Sequence, residues 1–180
     1  MGIMAAGLAM SKVFTRGGLN IVGYPEYPSL VRGGENTFQI RISESEIHSP
    51  SRNNHLVVCL NKPTVEFHKG QIYNNGAVIY DSAATKIEQG ELREDIKKFD
   101  VPLLKIATDN GGDIIMRNTV ALGASLAAMG YDLGLLEHVL SMLEIAALIT
   151  RQHPEADADL VVGGALMHDI GKIEELVLRS

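Results

Sequence analysis

The side chains best suited to chemistry fall in two places. Late in the chain, His138 stands in GLLEHVLSM and His168-Asp169 in LMHDIGK. Neutral imidazole and carboxylate are ligands for zinc, manganese or iron. A His-Asp pair at a helix end can aim two ligands at one point, and a histidine on the preceding helix can complete the set. Gly171 lets the chain turn there, and Lys172 offers a charge to an anionic substrate. The alternative is a pair of polar residues closing a helix, with His138 an ordinary core or surface histidine. On the dipeptide alone that plainer reading leads. The second place is YPEYPSLVRGG, residues 24–34. Adjacent Gly33 and Gly34 let a backbone bend sharply or approach a ligand closely. Arg32 beside them presents a planar donor fork for a carboxylate or phosphate. By residue chemistry alone a surface turn with a solvated arginine leads here too, because a lone glycine loop is a weak motif.

Other candidates carry less. Lys62, Glu66 and His68 follow an apolar run and read as a solvated helix face. Cys59 lies inside that run, where nothing nearby lowers a thiol's pKa, and reads as a buried inert side chain. His48, His55 and His153 stand alone in polar surroundings and receive no role.

Elements must hold these residues, and composition bounds what the elements can be. The chain has 180 residues, 46% hydrophobic and 21% charged, too apolar for a disordered segment and too charged for a membrane protein. A chain of this length buries roughly 70% of its unfolded surface, so its core needs neither disulfides nor metals. The single cysteine excludes an internal disulfide and any iron–sulfur cluster held by four thiolates of this chain. It points to a reducing compartment, the cytoplasm. No apolar run reaches the ~18 residues that a membrane span requires. The opening MGIMAAGLAM lacks a basic leader and reads as a helix. Net charge is −6, unevenly spread. Residues 134–180 hold Arg151, Lys172 and Arg179 against eight acids, a net −5, leaving −1 for the first 133. Neither part offers a basic stripe for nucleic acid.

Apolar spacing predicts a helix over 3–16, stopped by Gly17-Gly18. Leu19 to Val22 reads as a short strand, Tyr24 to Glu35 as a loop, and Thr37 to Ile42 as a strand with one wet face. LVVCL at 56–60 is apolar on both faces, as in a buried parallel strand. Pro63 can open a weak helix running to Ile72, and Asn75-Gly76 reads as a turn before a strand from Ala77 to Tyr80. A third buried strand is predicted at Val101 to Ile106, then a long helix from Asp113 to Met129, ended by Gly130. From Leu135 onward the pattern is all helix. The sum is an α/β fold, three layers around a largely parallel sheet, followed by a short all-helical C-terminal segment.

YPSLVRGGENTFQIRIS resembles the signature of the gamma domain of 2-oxoacid:ferredoxin oxidoreductases, the enzymes acting on pyruvate, 2-ketoisovalerate or 2-oxoglutarate. The likeness runs over residues 2–133 and includes the first helix, LVVCLNKPTVEF, GAVIYDS and RNTVALGASLAAMGY. It implies an α/β domain, separate or at the front of a larger subunit. The complete enzymes decarboxylate a 2-oxoacid on thiamine diphosphate, pass electrons through iron–sulfur clusters and transfer the acyl group to coenzyme A. The resemblance implies that thiamine diphosphate and the clusters sit on partner subunits, thiamine-binding and ferredoxin-type, and that this chain holds no cofactor alone but can handle coenzyme A. Its implied binding residues are Tyr24, Ser29, Arg32, Gly33 and Gly34, with Pro28 in front, facing a neighbouring subunit or an anionic group. No catalytic residue is implied. Family members begin with a strand and a glycine-rich turn, whereas this sequence starts at Met1-Gly2, so that first strand is expected to be missing from the sheet.

Residues 134–180 resemble the HD family of metal-dependent phosphohydrolases, most closely the branch with 3′–5′ exoribonucleases. The likeness rests on GLLEHVLSMLEIAALI and DLVVGGALMHDIGKIEEL. It implies a divalent metal on His138, His168 and Asp169, activating water against a phosphate ester, with Lys172 as an anion contact. In the family an aspartate well downstream completes the metal set, and no aspartate follows Asp169 here. Truncation is therefore expected to cripple hydrolysis. Nucleic acid is expected as a partner only under this alternative, and a membrane under neither. Domains are placed at 1–133 and 134–180.

Overall fold

A computed structural model describes residues 2–26, 36–110 and 116–130 of the chain. Helix α1 runs Ile3–Arg16 and ends as predicted, with Gly18 in the left-handed region at φ 80°. It buries Gly7, Ala9, Ser11, Val13 and Phe14. Strands β1 (Asn20–Glu26) and β2 (Thr37–Ser43) form an antiparallel hairpin that packs on α1. Ile21, Ile40 and Ile42 turn toward the α1 core, while Thr37, Gln39 and Arg41 take the other face. β1 is longer than the apolar run suggested, extending through Tyr24 and Pro25 to Glu26. A proline cannot donate to a ladder, but an edge strand of a two-stranded sheet tolerates it.

The second sheet is parallel, in the order β3-β4-β5. Strand β3 (Asn54–Cys59) leads into α2 (Lys62–His68), where Asn61 caps the Thr64 amide and Pro63 occupies the first turn. A 3₁₀ turn, Lys69–Gln71, completes the helical stretch expected to reach Ile72. Strand β4 then spans Ile72–Tyr80 and β5 Lys97–Asp100. Val57, Cys59 and Val78 point to one face and pack with Val65 of α2, Leu92 and Ile96. Ile79, also buried, points to the opposite face by alternation, where α4 (Arg117–Ala128) contacts β3 and β4. That is the expected α/β layering of helix, parallel sheet and helix. The two sheets share no ladder among the described residues. Ala9, Val13 and Phe14 of α1, with Leu122 and Leu126 of α4, form the core beneath the hairpin.

Two sequence expectations need correction. The third strand is not Val101 to Ile106 but the preceding Lys97–Asp100, whose side chains are all exposed. Pro102 sets a helical turn instead, and α3 (Leu103–Asp109) buries Leu103 and Ala107, four residues apart. Short apolar runs do not by themselves separate strand from helix. Asn75-Gly76 does not precede a strand but lies within β4, where the pairing with β3 shifts between Asn54 and Leu56. Asn75 takes φ 59°, and a Cβ on Gly76 would crowd the His55 and Tyr73 carbonyls. The segment expected to begin the last helix at Asp113 lies outside the described residues, as does everything from Tyr131.

The irregular start of β4 is held by a charged pair. The Arg93 guanidinium donates to the Ile72 and Tyr73 carbonyls and to Asp95, and Asp95 accepts the Asn75 amide at 2.8 Å. Hydrogen bonds from Arg93, then from Asn75, hold the Asp95 carboxyl down at about 2. A depressed carboxylate stabilises the fold in full above its ordinary value of 3.8 and loses that contribution as pH falls toward about 2. Asp95→Asn is therefore expected to be less stable than the wild type in urea at pH 7, with the gap narrowing by pH 3. An equal gap at both pH values would contradict the assignment.

Candidate functional site

The hairpin sets where the Arg32 segment leaves and rejoins the fold. Glu26 and Thr37 are ladder partners, and the Thr37 hydroxyl donates to Glu26 Oε2 at 3.3 Å. The two ends of the intervening residues 27–36 are therefore tied side by side. Tyr24 lies opposite Gln39 on the hairpin face turned away from α1, and is 43% exposed. Gln39 in turn donates to Asn54 Oδ1 at 2.6 Å, a side-chain bridge from β2 to β3. Of the residues singled out for binding, Tyr24 is thus placed, on an open surface. Ser29, Arg32, Gly33 and Gly34 lie outside the described residues, and so does Pro28. His138, His168, Asp169 and Lys172 lie outside them as well. Among the described residues no group of three or more His, Cys, Asp or Glu side chains is arranged to hold a metal ion.

The lesser candidates resolve into structure. Lys62 reaches across to Glu91 at 2.5 Å and to the Lys86 carbonyl at 2.8 Å, fastening the connection between β4 and β5. The bond from Lys62 is the first cause holding the Glu91 carboxyl below its usual range. His68 corrects the expected solvated face: it is buried, its Nδ1 2.9 Å from Gln71 Oε1. Glu66 is exposed, as expected. Cys59 is buried among apolar side chains, which suits an inert thiol. On α1, burial and then the Arg16 charge one turn away push the Lys12 ammonium down to about 8.

One residue the sequence reading passed over organises the C-terminal end of the parallel sheet. Asp81 follows β4 directly and is only 3% exposed. Its carboxylate accepts the Ala83 amide at 3.0 Å and the Leu104 amide at 3.1 Å, so it ties the end of β4 to the first turn of α3. The only signal was an aspartate closing the apolar run GAVIY, which also fits a plain turn.

No helix among the described residues is long and apolar enough to cross a membrane. Comparison with known proteins adds the following. The profile of the family described as pyruvate ferredoxin/flavodoxin oxidoreductase matches residues 1–148, and that of the HD domain matches residues 135–177. The chain is 28% identical over 127 residues to the ketoisovalerate oxidoreductase subunit VorA of Methanothermobacter marburgensis, covering 70% of this chain and 26% of that protein. The VorA subunit of Methanothermobacter thermautotrophicus gives the same figures. The chain thus spans about a quarter of the length of these curated relatives. Among solved structures, the 2-oxoglutarate:ferredoxin oxidoreductase of Magnetococcus marinus, with 2-oxoglutarate, coenzyme A and succinyl-CoA bound, superposes with a TM-score of 0.67 at 20% identity. That match covers 99% of this chain and 29% of that one. The gamma subunit of a keto/oxoacid ferredoxin oxidoreductase from Geobacter sulfurreducens superposes with a TM-score of 0.56 at 19% identity, covering 96% of this chain and 91% of that one. At these identities the structural likeness establishes a shared fold.

Proposed function

The chain belongs to the pyruvate ferredoxin/flavodoxin oxidoreductase family, and we propose that it serves there as a gamma-type subunit or domain of a 2-oxoacid:ferredoxin oxidoreductase. The observation that carries this reading is the family match over residues 1–148, which includes the whole described fold. On this reading the chain is silent by itself. Oxidative decarboxylation of the 2-oxoacid to an acyl-CoA runs on partner polypeptides that carry thiamine diphosphate and iron–sulfur clusters. Its own single cysteine, buried in the sheet, does not fit a cluster, which takes several thiolates. Tyr24, Ser29, Arg32, Gly33 and Gly34 form the docking surface, with the Arg32 fork meeting a carboxylate or phosphate of the neighbouring subunit or of coenzyme A. The single cysteine favours the cytoplasm as its compartment. Co-expression with the thiamine-binding subunit tests the reading. Recovery of both polypeptides through a tag on this chain is the expected result. Failure to recover the partner, together with no heat of coenzyme A binding by calorimetry, would sink it.

A second reading is favoured by the HD-domain match at 135–177. It places a domain boundary at 133/134 and assigns His138, His168 and Asp169 to a divalent metal, with Lys172 near an anionic phosphate ester. When bound, such a metal supplies activated water for phosphoester hydrolysis. Metal content of the purified chain is expected to fall in both His168→Ala and Asp169→Ala. Equal content in the wild type and both variants would end that assignment.

A further inference from the structure

Strand β5 (Lys97–Asp100) ends the described order β3-β4-β5, and every one of its residues is exposed, Phe99 by 39%. The amide of Val101, the next residue, donates to the Tyr80 carbonyl at 2.8 Å and so faces β4. Along a strand these groups alternate in direction. The backbone N–H and C=O of Lys97 and Phe99 therefore also face β4, in keeping with their pairing to Ala77 and Ile79, and those of Lys98 and Asp100 face outward. We propose that this edge pairs antiparallel with the same edge of a second copy of this chain. Lys98 then lies opposite Asp100 of the second copy, on both sides of a two-fold axis that passes between the two Phe99 residues. Each Lys98–Asp100 pair exchanges both its N–H···O bonds, and the Phe99 rings meet at the closer, non-hydrogen-bonded position. The strand is complementary to itself, as an isologous contact requires. Exposed lysines ordinarily guard an edge against pairing, but in this register Asp100 answers Lys98. A slip of two residues in either direction sets Lys98 against Lys98 or Asp100 against Asp100, so charge selects the one register. Asp100 Oδ1 accepts the Ser82 amide, and the second oxygen of the carboxylate serves the lysine.

An edge this short makes a small contact, so the dimer is expected to be weak and to grow with concentration. Sedimentation equilibrium of the full chain up to roughly 200 μM measures it. Lys98→Asp and Asp100→Lys each turn both cross-strand pairs repulsive, and each alone is expected to weaken dimerisation at least about tenfold. Mixed in equal amounts, the two variants meet opposite charges on each other and are expected to associate within about threefold of the wild type. Lys98→Pro removes an outward N–H, which an edge strand tolerates, and is expected to abolish the dimer while the circular dichroism spectrum stays that of the wild type. A wild-type chain that is monomeric throughout, a dimer that Lys98→Asp or folded Lys98→Pro leaves at full strength, or folded charge variants that fail to restore one another would each overturn the proposal. If Asp100→Lys misfolds for want of its Ser82 contact, Lys98→Asp and Lys98→Pro decide. The gamma-type reading is tested separately, by recovery of the thiamine-binding subunit, and survives any of these outcomes.

Discussion

Arg32→Ala is expected to weaken binding to the thiamine-binding subunit by at least about tenfold, the ~1.4 kcal/mol expected for an arginine anchor at an interface. The guanidinium offers five donors in a rigid fork, and an anionic group desolvated against it loses all of them together when the side chain is cut back. Arg32→Lys keeps the charge but not the fork, so it is expected to recover part of the affinity. Surface plasmon resonance on the purified pair would measure both. Because the docking reading turns Arg32 toward a partner, the isolated variant is expected to unfold at the wild-type temperature. Wild-type affinity in Arg32→Ala would remove it from the interface, and a lowered melting temperature of the chain alone would instead make Arg32 a residue of the fold.

The second large effect is expected at Asp81. Its buried carboxylate is the acceptor for the Ala83 and Leu104 amides, and Asp81→Ala leaves both without it. Hydrogen bonds to a charged group contribute about 1.5–3 kcal/mol each, with little additivity between two sharing one acceptor, so a loss of about 3 kcal/mol is expected. For a chain of this size that lowers the melting temperature by about 6–12 °C. Asp81→Asn keeps one side-chain oxygen and is expected to lose roughly half as much. A thermal scan of both variants checks this. A change in Asp81→Ala within about 0.5 kcal/mol, the range of an ordinary surface substitution, would mean that the joint between β4 and α3 is held by other contacts.

The elements readable from sequence were those whose local signals agreed. For α1, helical spacing and the twin-glycine stop point to the same ends, and the helix begins and finishes there. For α2, Pro63 marks the start that the fold uses, and the structure adds Asn61 as its cap. The alternation of Phe38, Ile40 and Ile42 located β2, but the wet face expected opposite them is half-buried like the rest of the strand. Legibility failed where a distant partner decides. VPLLKI is apolar enough for a strand, but the Asp81 carboxylate, more than twenty residues earlier, caps the Leu104 amide and the segment is helical. KKFD is largely hydrophilic and exposed at every position, yet it pairs with β4 through backbone groups that side-chain pattern does not report. Arg93 satisfies two carbonyls at the uneven start of β4, a role that its residue type alone does not report. Of the candidate site, the sequence located the strands on either side of the Arg32 segment. It did not show that Glu26 and Thr37 join at its base, because that contact depends on hairpin register and not on either residue's type.

The most direct test of the account is to capture the chain by affinity from the cells that make it and assay the eluate for dye reduction dependent on both a 2-oxoacid and coenzyme A. The account predicts that the eluate carries this activity and that the chain stripped of its companions has none. Turnover by the chain alone, or capture of the chain with neither a thiamine-binding companion nor activity, would contradict it.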